Sequence, residues 1–335
     1  MSRTSRMNPS FVLCLMVLAW LVALLTGLNL GATPLSFSQV LNALVLRGTW
    51  TENLIVLEMR LPRLVASSLI GASLSVSGVM LQGLSRNELA SPSTVGVNAG
   101  SGLGIMIALV FAPIGVLQQP WMMMLASVGG ALLLTLLVFA LSYRRGAVLP
   151  SRLLLIGIAV GFGANAMMTL LSLRMDFVTY NRVVSWMSGS ITGGTWKSIT
   201  SLAPSCVVLL IMAYSRARVL NVFALGDTAA KGLGVAVEWQ RFVTLGLATL
   251  MASVCAGVAG QIGFLGLAAP HLARQIVGQD HRVLFPAAAL SGALFLVLAD
   301  SLGRHLFSPV EIPAGVLVGI LGGAYFLFLL IRTKD

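Results

Sequence analysis

Long apolar runs separated by short polar connections are the feature that most limits what this chain can fold into. The 335-residue sequence is 57% hydrophobic and only 9% charged, with a mean hydropathy of +0.95. A soluble domain has about 25% charged residues to keep its surface in water, so this composition excludes one. Each run is continuously apolar for about 20 residues, which suits a membrane-spanning helix and not an alternating β-barrel strand. The sequence therefore predicts an all-α, polytopic integral membrane protein.

The runs predict about ten transmembrane helices in a single domain of residues 1–335. Glycine and proline interrupt the helical pattern at 91–104 and 260–271, as in the broken helices of transporters. Lys and Arg are about twofold more frequent in the connections that lie on the same side of the membrane as the N-terminus. By the positive-inside rule this predicts that both termini are cytoplasmic. We therefore interpret the net charge of +11 as membrane topology and not as a nucleic-acid surface. The predicted spans are 10–30, 61–83, 93–112, 121–143, 152–173, 196–214, 242–262, 264–277, 284–303 and 313–331, of which the eighth is short.

The sequence carries no G-x-x-x-x-G-K-[ST] phosphate-binding loop, so a partner would have to hydrolyse any ATP that drives the protein. Asp300 is the one acidic residue predicted inside a span, near the outer end of the ninth, and we expect an ion pair with Arg304 four residues later. His271 follows Pro270 at a predicted helix start, where a structural role is favoured over proton transfer. A proton-coupled secondary carrier, which would need Asp300 or His271, remains an alternative. An intramembrane enzyme is a weaker alternative, because the three histidines are scattered over different levels.

The connection of residues 215–241 is too apolar for a flexible linker. Gly226 is predicted to divide it into two short helices, with Asp227 capping the second and Gly232 or Gly234 ending it. An amphipathic hairpin of this kind fits a groove on a soluble motor subunit. The alternative is that it lies on the membrane surface.

Four motifs occur in a fixed order along the chain. They are R-L-P-R at 60–63, S-G-x-x-x-Q with R-N-x-L-A-x-P at 77–92, A-L-G-D-x-x-A-x-x-L-G at 224–234, and G-x-I-x-F-x-G-L-x-x-P-H-x-x-R at 260–274. In this order and spacing the sequence resembles the FecCD-type permease subunits of ATP-binding-cassette (ABC) importers for iron-siderophore, haem and cobalamin. The resemblance covers nearly the whole chain. It implies a fold like that of type II ABC importer permeases.

The resemblance also implies site residues at both membrane surfaces. Arg60, Arg63 and Arg304 match arginines that dock a substrate-binding protein at the outer face, although ordinary interfacial arginines are the alternative. Seven residues of the 215–241 connection match the coupling segment that seats on the ATPase subunit. These are Ala224, Leu225, Gly226, Asp227, Ala230, Leu233 and Gly234.

Asn87 and Leu89 match the inner gate of the family, where two permeases close the central pathway toward the cytoplasm. Glu88 stands between them at a position where the family normally has proline. The loop from Tyr143 to Arg152 is a candidate for a second constriction. Three further matching residues are expected to have a structural or pathway role: Pro270, His271 and Arg274.

The resemblance thus implies a permease subunit that moves a ferric siderophore across the cytoplasmic membrane, with haem or cobalamin as alternative cargo. The implied partners are an ABC ATPase subunit, a second permease copy or paralogue, and a periplasmic or lipid-anchored substrate-binding protein. We expect the chain itself to bind no cofactor or metal, because ATP is used by the partner and the three cysteines lack metal-ligand spacing. No nucleic-acid partner is expected.

Overall fold

The computed structural model describes residues 8–31, 33–111, 119–144, 146–191, 194–306 and 310–332. The two chain ends, 1–7 and 333–335, to which the prediction of cytoplasmic termini refers, lie outside these ranges. The described helices are α1 (Pro9–Asn29), α2 (Phe37–Leu44), α3 (Trp50–Asn53), α4 (Leu61–Ser85), α5 (Val97–Phe111), α6 (Pro120–Ser142), α7 (Pro150–Ser172), α8 (Phe177–Met187), α9 (Trp196–Ser215), α10 (Ala217–Phe223), α11 (Asp227–Gly232), α12 (Val237–Ala259), α13 (Leu265–Val277), α14 (His281–His305) and α15 (Ala314–Arg332).

Ten of these helices occupy the ten predicted spans. In the described part of the chain, seven helical stretches are long and apolar enough to cross a membrane, and they contain α1, α4, α6, α7, α9, α12 and α14. The other three are α5, α13 and α15, of which α5 and α15 are shorter apolar helices. Helix α13 has 13 residues and is therefore about 20 Å long, less than a bilayer's hydrocarbon core. The all-α polytopic prediction is confirmed.

The second helical stretch begins earlier than the sequence predicts. Thr49 and Glu52 form a capping box that starts α3. A π-helical segment, Leu54–Arg60, then joins α3 to α4 without a break. The continuous stretch of 36 residues therefore runs from Trp50 to Ser85, whereas the apolar pattern placed its start at residue 61.

Helices α4 and α12 form the centre of the bundle. In their most apolar windows 78% and 72% of residues are buried, against 28% in α1, α6, α7 and α9. Helix α4 packs against α14, α12, α13 and α9. Two of these contacts bring backbones together, because a Cβ at Gly71 would lie 2.3 Å from the Gly292 oxygen and one at Gly78 only 1.9 Å from the Gly266 oxygen. Glycine at these positions therefore permits the close packing of α4.

The two predicted helix breaks are shorter in the structure than in the sequence pattern. The first break begins earlier than predicted and covers residues 86–96, because α4 ends at Ser85 and α5 has already begun at Val97. The second break covers residues 260–264, with Gly260 at φ 75° and Phe264 at φ 59°. Between α6 and α7 a two-residue antiparallel hairpin pairs β1 (Tyr143–Arg144) with β2 (Ala147–Val148).

Candidate functional site

The 215–241 connection folds as two short helices, α10 and α11, on either side of Gly226. Gly226 has φ 99°, a conformation that favours glycine, and it precedes α11. At the other end Gly234 has φ 78°, its N–H bonds the Lys231 oxygen at 2.9 Å, and the Val235 N–H bonds the Ala230 oxygen at 3.1 Å. This pair of bonds is a Schellman motif. The predicted break at Gly226 is confirmed, and of the two glycines predicted to end the second helix it is Gly234 that has the left-handed conformation.

Residues 224–234, which we call the coupling segment, expose apolar side chains on the surface of the protein. Leu225 is 64% exposed and Leu233 is 63% exposed, and Ala224 is also exposed. Ala230 is completely buried and belongs to the same hydrophobic cluster as Leu220. The apolar packing of the segment is therefore through one small residue, and two leucines are left uncovered.

Asp227 does not cap α11, so that prediction is wrong. The cap position belongs to Gly226, and no side chain caps this helix. The Asp227 carboxylate instead accepts hydrogen bonds from Arg86, at the end of α4, and from Arg241, on α12. Arg241 Nη2 lies 3.1 Å from both carboxylate oxygens. Two guanidinium groups thus hold the carboxylate away from the free N–H groups of α11.

Arg241 extends this network to the β1–β2 hairpin. Its side chain is 1% exposed, and Nη1 donates to the Val148 oxygen at 2.8 Å and to Glu238 Oε1 at 3.2 Å. Glu238 Oε2 in turn accepts the Val148 N–H at 3.0 Å. The coupling segment, α12 and the hairpin are therefore joined through charged groups.

The loop of residues 86–90 ends α4 and contains the predicted gate residues. Arg86 has φ 51°, a left-handed conformation that is uncommon for a residue other than glycine. Asn87 Oδ1 accepts the Leu89 N–H at 2.9 Å, which closes a compact turn. Leu89 is 50% exposed and Asn87 is partly buried. The gating role of Asn87 and Leu89 stays a prediction.

Glu88 connects this loop to α13. Its Oε1 lies 3.1 Å from Arg274 Nη1, and its Oε2 lies 3.5 Å from His271 Nδ1. The second nitrogen of the same guanidinium, Arg274 Nη2, donates to Gln82 Oε1 on α4 at 3.0 Å. The prediction that His271 lies at a helix start is wrong. The helix already begins at Leu265, so His271 is the seventh residue of α13. Pro270 is buried beside it.

Asp280 ties α10 to α14 near this loop. It accepts the Arg282 N–H at 3.0 Å, which caps α14, and the Asn221 side-chain amide at 2.7 Å. These hydrogen bonds, the one from the Arg282 backbone first, lower the pKa of Asp280. Asn221 Oδ1 accepts the His281 N–H at 3.0 Å in return. The sequence pattern gave no sign of this link.

A second charged group lies at the opposite end of the bundle. Asp300, which is 1% exposed, has the predicted i,i+4 neighbour, with Arg304 Nε 3.2 Å from its Oδ2. Its Oδ1 also accepts a 2.9 Å hydrogen bond from Arg63 Nε. Arg63 Nη1 reaches Glu311 Oε2 at 2.7 Å. The ion pair of α14 is therefore part of a four-residue network with α4.

Arg60 lies close to this network but has different partners. It is 5% exposed and donates to backbone oxygens of Leu28 at 2.6 Å, Asn29 at 3.1 Å, and Thr33. It thus satisfies carbonyls at the end of α1 that lack helical partners.

A recess of about 320 Å³ brings together the three arginines predicted to dock a binding protein, and its lining includes Arg60, Arg63, Arg304 and Glu311.

Comparison with known proteins agrees with this architecture. A family model described as the FecCD transport family matches residues 17–332. The chain belongs to the FecCD transport family. It is 37% identical to the iron(3+)-hydroxamate import system permease protein of Bacillus subtilis, over 99% of this chain and 100% of that protein. It is 35% identical to the hemin transport system permease protein of Yersinia pestis, over 98% of each chain.

Two further comparisons extend the picture. The chain is 36% identical to the vitamin B12 import system permease protein of Shigella boydii, over 98% of this chain and 97% of that one. Among solved structures, it is similar to a metal-chelate-type ABC transporter in an inward-facing conformation. That likeness has a TM-score of 0.86 at 27% identity and covers 96% of this chain and 99% of that one.

Proposed function

We propose that this chain is the membrane-spanning permease subunit of an ABC importer, and that its cargo is a ferric siderophore. Its membership of the FecCD transport family and its similarity to an iron(3+)-hydroxamate permease along the whole length of both chains support this proposal. Similar identity to a hemin permease and to a vitamin B12 permease keeps haem and cobalamin as alternative cargo. The engine is a separate ATPase subunit, and this chain binds no cofactor of its own.

The observation that carries the proposal is the exposed coupling segment. Leu225 and Leu233 are nearly two-thirds exposed on a short helical structure that is fixed from behind by Ala230 and Asp227. Apolar side chains presented in this way suit a groove on a partner protein. Since the excess of basic residues puts this end in the cytoplasm, the ATPase subunit is the partner that we assign to the segment.

The opposite end faces the outside in this orientation. There Arg63 and Arg304 share Asp300, and a recess opens beside them. We assign this surface to a substrate-binding protein that is periplasmic or lipid-anchored. A second permease copy or a paralogue completes the central pathway across the cytoplasmic membrane.

ATP binding can drive transport only through contacts that differ between two packings of the permease. The coupling segment is where such contacts can exist, because its Asp227 is bonded both to the end of α4 and to α12. A displacement imposed on the segment is therefore transmitted to two central helices and not absorbed by a flexible loop.

The test is to replace both exposed leucines, Leu225→Asp with Leu233→Asp, in the assembled transporter. We expect the variant to insert in the membrane but to lose ATPase association and uptake by at least about tenfold, since interface anchors carry most of a binding energy. The control is Leu46→Asp, because Leu46 is 74% exposed but lies outside the coupling segment. Uptake and ATPase co-purification are measured together.

The energy source separates the proposal from a proton-coupled carrier. In intact cells, wild-type uptake should stop when ATP is depleted and continue when only the proton gradient is collapsed. The reverse pattern, or normal uptake by the double leucine variant, would reject the ABC permease assignment.

A further inference from the structure

Two ion pairs hold the 86–90 loop, one made by Arg86 and one by Glu88. At its base, Arg86 is bonded to Asp227 of the coupling segment. Near its tip, Glu88 is bonded to Arg274 of α13 at 3.1 Å, with His271 Nδ1 3.5 Å from the other carboxylate oxygen. The loop is thus bonded both to the coupling segment, which we assign to the ATPase, and to α13.

Arg274 makes the second connection specific. Its guanidinium bonds Glu88 through Nη1 and Gln82 of α4 through Nη2, so one side chain fixes the loop relative to both α13 and α4. The Arg274 side chain is only 13% exposed, whereas Glu88 is 50% exposed. The arginine is therefore held in place by its surroundings, and the carboxylate is the member of the pair that is free to leave.

The base of the loop is held in a conformation that its sequence does not favour. Arg86 has φ 51°, where only glycine avoids a steric cost. The side chain of Arg86 reaches Asp227, and a Cβ at the neighbouring Gly226 would lie 3.6 Å from Arg86 Nη1. The ion pair thus fastens the left-handed residue to the coupling segment.

We propose that Glu88 is a positioning residue for the predicted inner gate, and that Arg86 is the lever that releases it. Glu88 keeps the 86–90 loop, with Asn87 and Leu89, against α13 through Arg274. A movement of Asp227 pulls on Arg86 and separates Glu88 from Arg274. This inference rests on the proposed function, because it takes the coupling segment as the input from the ATPase.

The size of the effect follows from solvent exposure. An ion pair with one half-exposed member biases an equilibrium between two packings by about fivefold at most. This is small enough for ATP binding to overcome and large enough to set the resting position of the loop. Glu88→Gln should therefore move the loop's populations by a few fold without unfolding the chain.

The loop position can be measured by electron spin resonance between labels at Leu89→Cys and Ile276→Cys. Both side chains are exposed, by 50% and 52%, and Cys14→Ser removes the exposed native thiol. The full-length labelled chain is diluted with unlabelled chain so that distances within one copy are observed. Wild type should give one predominant distance, and Glu88→Gln should raise the population of a second, longer distance by a few fold.

Two variants make this measurement specific for the ion pair. Exchange of the charges, Glu88→Arg with Arg274→Glu, should restore the predominant wild-type distance. The matched control is Glu58→Gln, because Glu58 lies in the π-helical segment that precedes α4, whereas the 86–90 loop follows α4. This variant should leave the distance unchanged. A wild-type distance in Glu88→Gln, or failure of the exchanged pair to restore it, would overturn the role of Glu88.

The lever is tested in the complex with the ATPase subunit. Adding a non-hydrolysable ATP analogue should lengthen the distance in wild type but not in Arg86→Gly, which keeps the left-handed backbone and removes the ion pair. An unchanged wild-type distance, or a normal response in Arg86→Gly, would overturn the lever. Either of these two results rejects only this inference as long as wild-type uptake is driven by ATP. Uptake without the ATPase subunit would reject the proposed function itself.

Discussion

Asp300 shows how one buried carboxylate organises the residues around it. It is 1% exposed and balances the charges of Arg63 and Arg304. The sequence predicted the local pair with Arg304, because the spacing of four residues is visible in the sequence. The pair with Arg63 was invisible, since 237 positions separate the two residues and only the packing of α4 on α14 brings them together.

We predict that Asp300→Asn lowers the free energy of unfolding by about 3 kcal/mol or more, since it leaves the buried Arg304 without a countercharge and leaves Arg63 with only the partly exposed Glu311. Glu311→Gln is the matched control, because the Glu311 side chain is 41% exposed and such a pair contributes about 1 kcal/mol or less. The thermal unfolding midpoint of each purified variant measures the difference. Equal midpoints for the two variants would show that Asp300 is not the centre of the network.

The pKa of Asp280 gives a prediction about acid stability. Its pKa is lowered in the folded chain by hydrogen bonds from the Arg282 backbone and the Asn221 side chain. The unfolded chain binds the proton more readily, so Asp280 stabilises the fold above its ordinary pKa of about 3.9. This contribution is lost as the pH falls through the lowered pKa. The wild-type unfolding midpoint should therefore fall more steeply below about pH 5 than that of Asp280→Asn, and parallel curves would contradict this.

Helix packing depends on glycines whose importance the sequence does not reveal. The chain has 35 glycines, and a periodic pattern of small residues does not distinguish those at a backbone contact from those with open space beside them. Gly78 on α4 meets the backbone of Gly266 on α13, whereas Gly246 on α12 has no atom within 4 Å of an added Cβ. Only the tertiary arrangement separates the two.

Gly78→Ala should therefore destabilise the protein by at least about 1–3 kcal/mol, because the new methyl group overlaps the Gly266 carbonyl and forces α4 and α13 apart. Gly246→Ala should be neutral or stabilise by up to about 1 kcal/mol, since alanine is the better helix former. Thermal midpoints in detergent check both. A neutral Gly78→Ala would show that the contact between α4 and α13 is looser than the structure gives.

At the scale of the whole molecule, the predicted orientation determines how every site is interpreted. The coupling segment and the Arg63–Asp300 network lie at opposite ends of the bundle, so they must face opposite sides of the membrane. We predict that Leu233→Cys, in a Cys14→Ser background, reacts with a membrane-impermeant maleimide only in inside-out vesicles. Leu46→Cys should react only in right-side-out vesicles, and the opposite result would exchange the proposed partners.

The sequence by itself determined that this protein lies in a lipid bilayer, and it determined the approximate number and positions of the spans. The reason is that the length of an apolar run needed to cross a membrane depends only on bilayer thickness. It also determined the break at Gly226 and a helix end at Gly232 or Gly234, since these depend on local backbone conformations that glycine permits. The tertiary structure alone decided the partners of Asp227, Glu88 and Arg60. A side chain's charge is written in the sequence, but the guanidinium or carbonyl that it meets depends on which helices pack together.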